Sequence, residues 1–235
     1  MSTKEVGGIK LTNCALEEAP SGALILRGTL FGNHAAPLKE RKNDTYETPP
    51  EATHALLRCE PLPHRILEPC CGPGAIAQVL RGAGHHVIAQ DLVDYGCPDS
   101  SHGIDFLMEF RLPEAEAIVT NPPFKLAAEF IRKGLDMCPL VIVLQRLMFL
   151  EGQGRSDIVD GHLSRVHVFR NRLPTMHRHG WEGTKTGSMV PYAWFIFERE
   201  KKGPTLMDRI SWEPLPTTAT TVATSSVQMS MPIIE

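Results

Sequence analysis

The chain has 235 residues, 42% hydrophobic and 22% charged, with a formal net charge of −3. That length and balance describe one globular domain with a core of its own and exclude a collagenous, disordered or disulfide-dependent chain. No apolar run approaches the roughly 18 residues that cross a bilayer, and no basic-then-apolar leader opens the chain, so a cytoplasmic protein without a membrane partner is expected. The negative charge excludes a surface coated with phosphate-binding cations; any nucleic-acid surface must be local.

The six cysteines form no CxxC pair and are expected as free thiols, with neighbours Cys70 and Cys71 facing opposite ways. His85-His86 follows Gly82 and Gly84 in a turn without a companion ligand, so no metal is expected.

Residues 1–43 are mixed and polar, an N-terminal arm with one short strand expected over 23–26. Thr48 is predicted to cap a helix carrying prolines in its first turn and Ala52, Ala55 and Leu56 on its apolar face. A first core strand is predicted over 65–68, ended by Gly72–Gly74, and a helix over 75–81 stops at Gly82-Ala83-Gly84. A second strand over 87–89 ends at Asp91, a third is expected over 103–106, and a fourth over 117–119 ends at Asn121. Apolar spacing predicts a helix over 126–137 and a fifth strand over 140–144. Val166 and Val168, then Ala193, Phe195 and Phe197, predict an antiparallel hairpin with a loop over about 174–191. Residues 201–235 are expected to be an extension that is largely a disordered tail, since Thr217–Ser226 is mostly Thr, Ser and Ala. The alternation predicts an α/β fold on a mainly parallel sheet.

The run Glu68-Pro69-Cys70-Cys71-Gly72-Pro73-Gly74 closes the first strand and opens a helix, the position at which α/β sheets bind cofactors. Glycine lets the backbone approach a ligand, the helix N-terminus offers N–H groups to a carboxylate, and Glu68 can meet a cationic group. Asp91 suits the vicinal hydroxyls of a ribose. Gly72, Gly74 and Ala77 also satisfy G-x-G-x-x-A, so the spacing alone leaves a nicotinamide or flavin enzyme open, as it does an ordinary tight turn with a capping Asp.

Asn121-Pro122-Pro123-Phe124 follows the fourth strand directly. An exocyclic amine on a heteroaromatic ring is a poor nucleophile because its lone pair is delocalised. Two acceptors, the Asn121 side-chain oxygen and the Pro122 carbonyl, would localise that pair and aim it. Pro122 and Pro123 stiffen the backbone that presents them, and Phe124 can stack on a base that has left its duplex. The bland alternative is a proline-rich turn.

In order and spacing, Glu68 to Gly74, Asp91 and Asn121 to Phe124 resemble the S-adenosylmethionine-dependent amino-methyltransferases, in particular the phage-type N6-adenine DNA enzymes. Tyr46-Glu47-Thr48-Pro49 is similar to the cofactor-side segment that precedes their first strand. The resemblance covers residues 44–200 as a catalytic domain. It implies a Rossmann-like seven-stranded methyltransferase sheet with helices on both faces and a C-terminal antiparallel hairpin. It also implies S-adenosylmethionine as cofactor and no metal. Cofactor contacts are implied at Tyr46, Thr48, Glu68, Pro69, Cys70, Gly72, Gly74, Asp91, Leu92 and Asn121, with Asp105 and Phe106 near the cofactor adenine unless Phe106 is core. Catalytic roles are implied at Asn121, Pro122, Pro123 and Phe124. Similar motifs serve RNA base amines and protein glutamine N5, and an inactive binding module of the same fold is the alternative from another class.

The segment 162–185 holds Arg165, Arg170, Arg172, Arg178 and Lys185 against the single carboxylate of Glu182. It is the local basic patch that a DNA partner requires, with contacts expected from Arg170, Arg172, Arg178, Trp181 and Lys185. Trp181 either wedges beside an extruded base or packs on the hairpin.

Overall fold

The computed structural model describes residues 47–111, 113–174 and 187–213, together with four short N-terminal strands. The chain divides into two compact units, Met1–Asn43 and Asp44–Glu235. In the first, β1 (Thr3–Val6) pairs antiparallel with β2 (Ile9–Thr12), and β3 (Ala15–Glu18) with β4 (Leu24–Arg27). Only β4 lies where the sequence predicts a strand.

The second unit is built on one sheet. Its parallel centre is β5 (Arg65–Glu68), flanked by β6 (His86–Gln90) and β8 (Ala117–Thr120), with β9 (Leu140–Arg146) beyond β8. The two-residue strand β7 (Ser100–Ser101) closes the β6 side. On the other side β11 (Tyr192–Glu198) runs antiparallel between β9 and β10 (Leu163–Phe169), and β12 (Leu206–Ile210) pairs parallel to β10. The order is β12-β10-β11-β9-β8-β5-β6-β7.

Strand alternation sorts the core into two layers. Ile66, Val119, Ile142, Leu144, Trp194 and Ile196 face Ala52 and Leu56 of α1 (Pro50–Cys59) and Ile76, Ala77 and Leu80 of α2 (Ala75–Gly82). Leu67, Ile118, Val141, Val143, Phe195 and Phe197 face Phe130, Ile131 and Leu135 of α3 (Ala127–Met137) and Ile158 of α4 (Ser156–His162). Helices therefore cover both faces of the sheet. The near-continuous apolar runs of β8 and β11 follow from burial on both sides. Trp194, fully buried, donates its indole N–H to the Ala52 carbonyl at 2.8 Å and locks α1 onto the sheet.

Three expectations are corrected. Among the described residues the sheet has eight strands, not seven: β12 lies inside the segment expected to be an extension, and residues 206–209 are exposed, so backbone pairing holds the strand without an alternating apolar signal. The third strand is Ser100–Ser101 rather than 103–106. There Gly103 takes φ 74° and the Asp105 carboxylate accepts the Leu107 N–H at 3.0 Å, which turns the chain. Thr48 does not cap α1; Pro49 occupies that position and makes no side-chain cap bond.

Because β11 alone among these longer strands is reversed, one edge of the sheet gathers the C-terminal ends of β6, β5, β8, β9 and β10 with the N-terminus of β11. Ligands of open α/β sheets bind along that edge, which we call the carboxyl edge.

Candidate active site

Glu68 ends β5 and is 1% exposed. Burial drives its pKa well above the ordinary carboxylate range, while a hydrogen bond from the Ala77 backbone N–H in the first turn of α2 acts the other way. Its Oε2 is buried without a hydrogen-bond partner. Among the described residues no cation forms a salt bridge with this carboxyl, and Arg81 acts on it only as a more distant charge. Between Glu68 and α2 the chain turns through Gly72 at φ 54° and Gly74 at φ 92°, backbone conformations that L side chains rarely adopt. A Cβ on Gly74 would also lie 2.6 Å from the Cys97 sulfur.

Asp91, 8% exposed, follows β6 and binds this turn from the neighbouring strand. Its Oδ2 accepts the Gly72 N–H at 2.8 Å and its Oδ1 accepts the Val93 N–H at 3.0 Å, leaving one lone pair on each oxygen. Next to it Leu92 and Val93 are 58% and 37% exposed. Pro69 is buried and Cys70 half-buried. Cys70 packs on the α3 side of the sheet while Cys71 packs on the α2 side; burial raises both thiols, so neither is a thiolate.

Asn121 leaves β8 half-buried, and its side-chain N–H donates to the Thr48 hydroxyl at 3.0 Å. Thr48 is 4% exposed and directly precedes the α1 start that Trp194 anchors, so the amide is held from a rigid support. With its nitrogen turned to Thr48, the amide presents Oδ1 elsewhere. The buried Pro122 carbonyl accepts from Gln145 Nε2 at 3.4 Å, and Gln145 is 2% exposed on β9. Phe124 lies 6.0 Å from the Tyr192 ring, and the Arg146 guanidinium sits over its face at 4.4 Å.

The carboxyl edge gathers a row of unmet polar groups. Gln90 Oε1, Glu68 Oε2, Thr120 Oγ1 and Arg146 Nε are buried without hydrogen-bond partners and terminate the adjacent strands β6, β5, β8 and β9. Each such atom costs about 1–3 kcal/mol until a partner arrives. A row of them along one edge makes it the candidate ligand site.

Several predicted site residues fall elsewhere. Phe106 is 3% exposed and stacks on Phe130 at 4.9 Å, so its ring belongs to the core. Asp105 spends its carboxylate on the turn at Leu107. Arg170 and Arg172 are exposed just after β10, at the carboxyl edge. Arg165 lies at the opposite end of β10, paired to Glu60 at 2.7 Å and Glu198 at 2.8 Å, and is not part of a basic patch. Tyr46, Arg178, Trp181 and Lys185 lie outside the described residues.

Sequence reasoning missed Gln145, Arg146 and Tyr192. A Gln-Arg pair ending an otherwise apolar strand was the available signal. A cleft of about 540 Å³ bounded by Glu60, Arg165 and Glu198 lies at the far edge, among side chains already paired to one another.

The mainly parallel sheet with its reversed β11 is a Rossmann-like α/β fold, with the glycine turn after β5 and the Asn-Pro-Pro-Phe turn after β8 on one edge. No family model matches the sequence, and no curated protein matches it. Among solved structures, the chain is similar to a protein provisionally described as an RNA methyltransferase from Pyrococcus horikoshii, at 13% identity, covering 65% of this chain and 86% of that one, with a TM-score of 0.48. It is similar to TrmN from Thermus thermophilus at 20% identity over 63% and 47% of the two chains, with a TM-score of 0.44. It is also similar to a TehB-like SAM-dependent methyltransferase from Corynebacterium glutamicum at 15% identity over 69% and 92%, with a TM-score of 0.43. At these values they assign no activity to this chain.

Proposed function

We propose that the protein transfers a methyl group from S-adenosylmethionine to an exocyclic amino nitrogen, adenine N6 in DNA. The observation that carries this reading is the Asn121 amide, pinned through its nitrogen by Thr48 beside the Pro122 carbonyl, one strand from the glycine turn.

Glu68 to Gly74, Asp91 and Leu92 would hold the cofactor. The orphaned Glu68 Oε2 fits a cationic amino group, Asp91 retains acceptor capacity for ribose hydroxyls, and exposed Leu92 offers apolar cover to an adenine ring. S-adenosylmethionine supplies an electrophilic methyl carbon on a sulfonium. The chain's own residues prepare the nucleophile. Asn121 Oδ1 and the Pro122 carbonyl accept the two amine N–H bonds, which returns the lone pair to nitrogen and points it along the transfer axis. Thr48 and Gln145 hold those acceptors, Pro123 stiffens the turn, and Phe124 stacks on the base. The nitrogen then sheds one proton to solvent. The resemblance of the Ile-Val-Thr-Asn-Pro-Pro-Phe-Lys run to the phage-type enzymes favours DNA, as do Arg170 and Arg172 at the carboxyl edge, with Arg178, Trp181 and Lys185 following in sequence.

The test supplies methyl-labelled cofactor with DNA, RNA and peptide substrates and identifies the modified atom by mass spectrometry. N6-methyladenine in DNA is expected. In parallel, Asn121→Ala should lose at least a hundredfold in kcat, the scale of a missing transition-state acceptor, while cofactor affinity holds within about twofold. Equal losses in both would reject the role of Asn121, and label on glutamine alone would reject the acceptor class.

A further inference from the structure

Arg146 is the last residue of β9, paired in register with Tyr192 at the start of β11. It stands one strand beyond Asn121–Phe124, on the side away from Glu68 and Asp91. Its guanidinium covers a face of Phe124 at 4.4 Å. Other arginines of the described chain have found acceptors: Arg65, Arg132 and Arg165 pair with carboxylates. Arg58, Arg81, Arg155 and Arg199 donate to backbone carbonyls. Arg111, Arg172 and Arg209 are exposed to water. Arg146 is half-buried, its Nε is cut off from water without a hydrogen-bond partner, and among the described residues no carboxylate pairs with it.

A guanidinium stacked on a ring satisfies its π-face only. Its N–H donors lie in its own plane and suit a planar or tetrahedral oxyanion held by two parallel bonds. The ring it covers is the one on which the acceptor base would stack. An anion that accompanies a stacked base is its own or a flanking phosphate; the neutral side chain of a glutamine brings none. We propose that Arg146 binds a phosphate of the acceptor nucleotide, and so selects nucleic acid over free nucleosides and protein amides. This rests on the methyl-transfer reading above and assigns the substrate class of that same site.

The test compares wild type, Arg146→Met and Arg146→Lys on deoxyadenosine, on its 5′-monophosphate and on an adenine-containing oligodeoxynucleotide. Cofactor affinity is measured by calorimetry, and circular dichroism checks the fold. Arg146→Met should raise KM for the oligonucleotide about ten- to a hundredfold and flatten its log–log salt dependence by about one. KM for deoxyadenosine and cofactor affinity should stay within about twofold. Arg146→Lys, which keeps the charge but not the fork, should fall between. A comparable loss on the monophosphate assigns the contact to the nucleotide's own phosphate, and a loss confined to the oligonucleotide assigns it to a flanking one. Equal losses on nucleoside and oligonucleotide would overturn the proposal and leave Arg146 as a brace for Phe124. An unchanged salt dependence would also overturn it, and weakened cofactor binding would reassign Arg146 to the cofactor. If the wild type methylates only a peptide glutamine, this proposal and the DNA reading fall together; if it methylates DNA and Arg146→Met behaves as wild type, this one falls alone.

Discussion

Gly74→Ala tests the glycine turn with a magnitude that the geometry supplies. At φ 92° an alanine enters a left-handed conformation, which costs on the order of 1–2 kcal/mol for an L residue. Its Cβ would also meet the Cys97 sulfur at 2.6 Å, an overlap that something must move to relieve, at roughly 1–3 kcal/mol. The sum, about 2–5 kcal/mol, corresponds to a fall in Tm of roughly 5–15 °C for a folded unit of this size. The two contributions separate in a double-mutant cycle. Cys97→Ala removes the sulfur but leaves its Cβ at 3.4 Å, an ordinary contact, so it relieves the steric part and not the backbone part. Urea denaturation of the four proteins should show a favourable coupling of about 1–2 kcal/mol, with the double mutant still less stable than Cys97→Ala. Additivity within about 0.5 kcal/mol would refute the steric argument. A Gly74→Ala protein as stable as wild type would refute both.

Thr48→Val should lower kcat about tenfold by releasing the Asn121 amide, with cofactor Kd within twofold and Thr48→Ser near wild type; a matching loss in Kd would mean Thr48 serves the cofactor instead. Glu68→Gln should stabilise the ligand-free protein at neutral pH, because burial raises the carboxyl pKa and ionisation costs stability as pH rises above the ordinary 4.5. The same substitution should weaken cofactor binding; a less stable Glu68→Gln protein would contradict this account. Burial lowers the His167 pKa, but the neighbouring Cys59 and then the Glu60 carboxylate, 3.0 Å from His167 Nε2, outweigh it and bring the value to about 9, so its stabilisation is whole below 6.5 and lost as pH climbs through 9. Burial would raise Glu60, but His167 and Arg165 hold it below 4.5, and its stabilisation is lost as pH falls below that value. Thermal melts should therefore show this cluster's contribution greatest between about pH 4.5 and 6.5, and His167→Ala should remove the loss on the alkaline side.

Much of the parallel sheet was legible from local signals. Apolar runs over 65–68, 87–89, 117–119 and 140–144 lie within β5, β6, β8 and β9, and the helical spacing over 126–137 matches α3. The hairpin of β10 and β11 follows the alternation of Val166 and Val168 with Ala193, Phe195 and Phe197. Where local signals failed, the burial that creates them was absent or misleading. β12 is exposed and carries no alternation, so its pairing to β10 leaves no mark in residue type. Phe106 stands beside an acidic residue near the expected cofactor, and nothing in its neighbours reveals that it faces Phe130.

Residue order alone determined which turns follow which strands, because strand ends, glycines and prolines act within a few residues of themselves. It therefore placed Glu68, Asp91 and Asn121 at the ends of separate strands. Tertiary structure decided what each side chain does there. Thr48 reaches Asn121 across 73 positions and Glu60 reaches Arg165 across 105. Arg146 meets Phe124 only because β9 lies beside β8. Such contacts depend on the crossover connections and register that bring distant strands together, and composition or spacing along the chain carries no record of either.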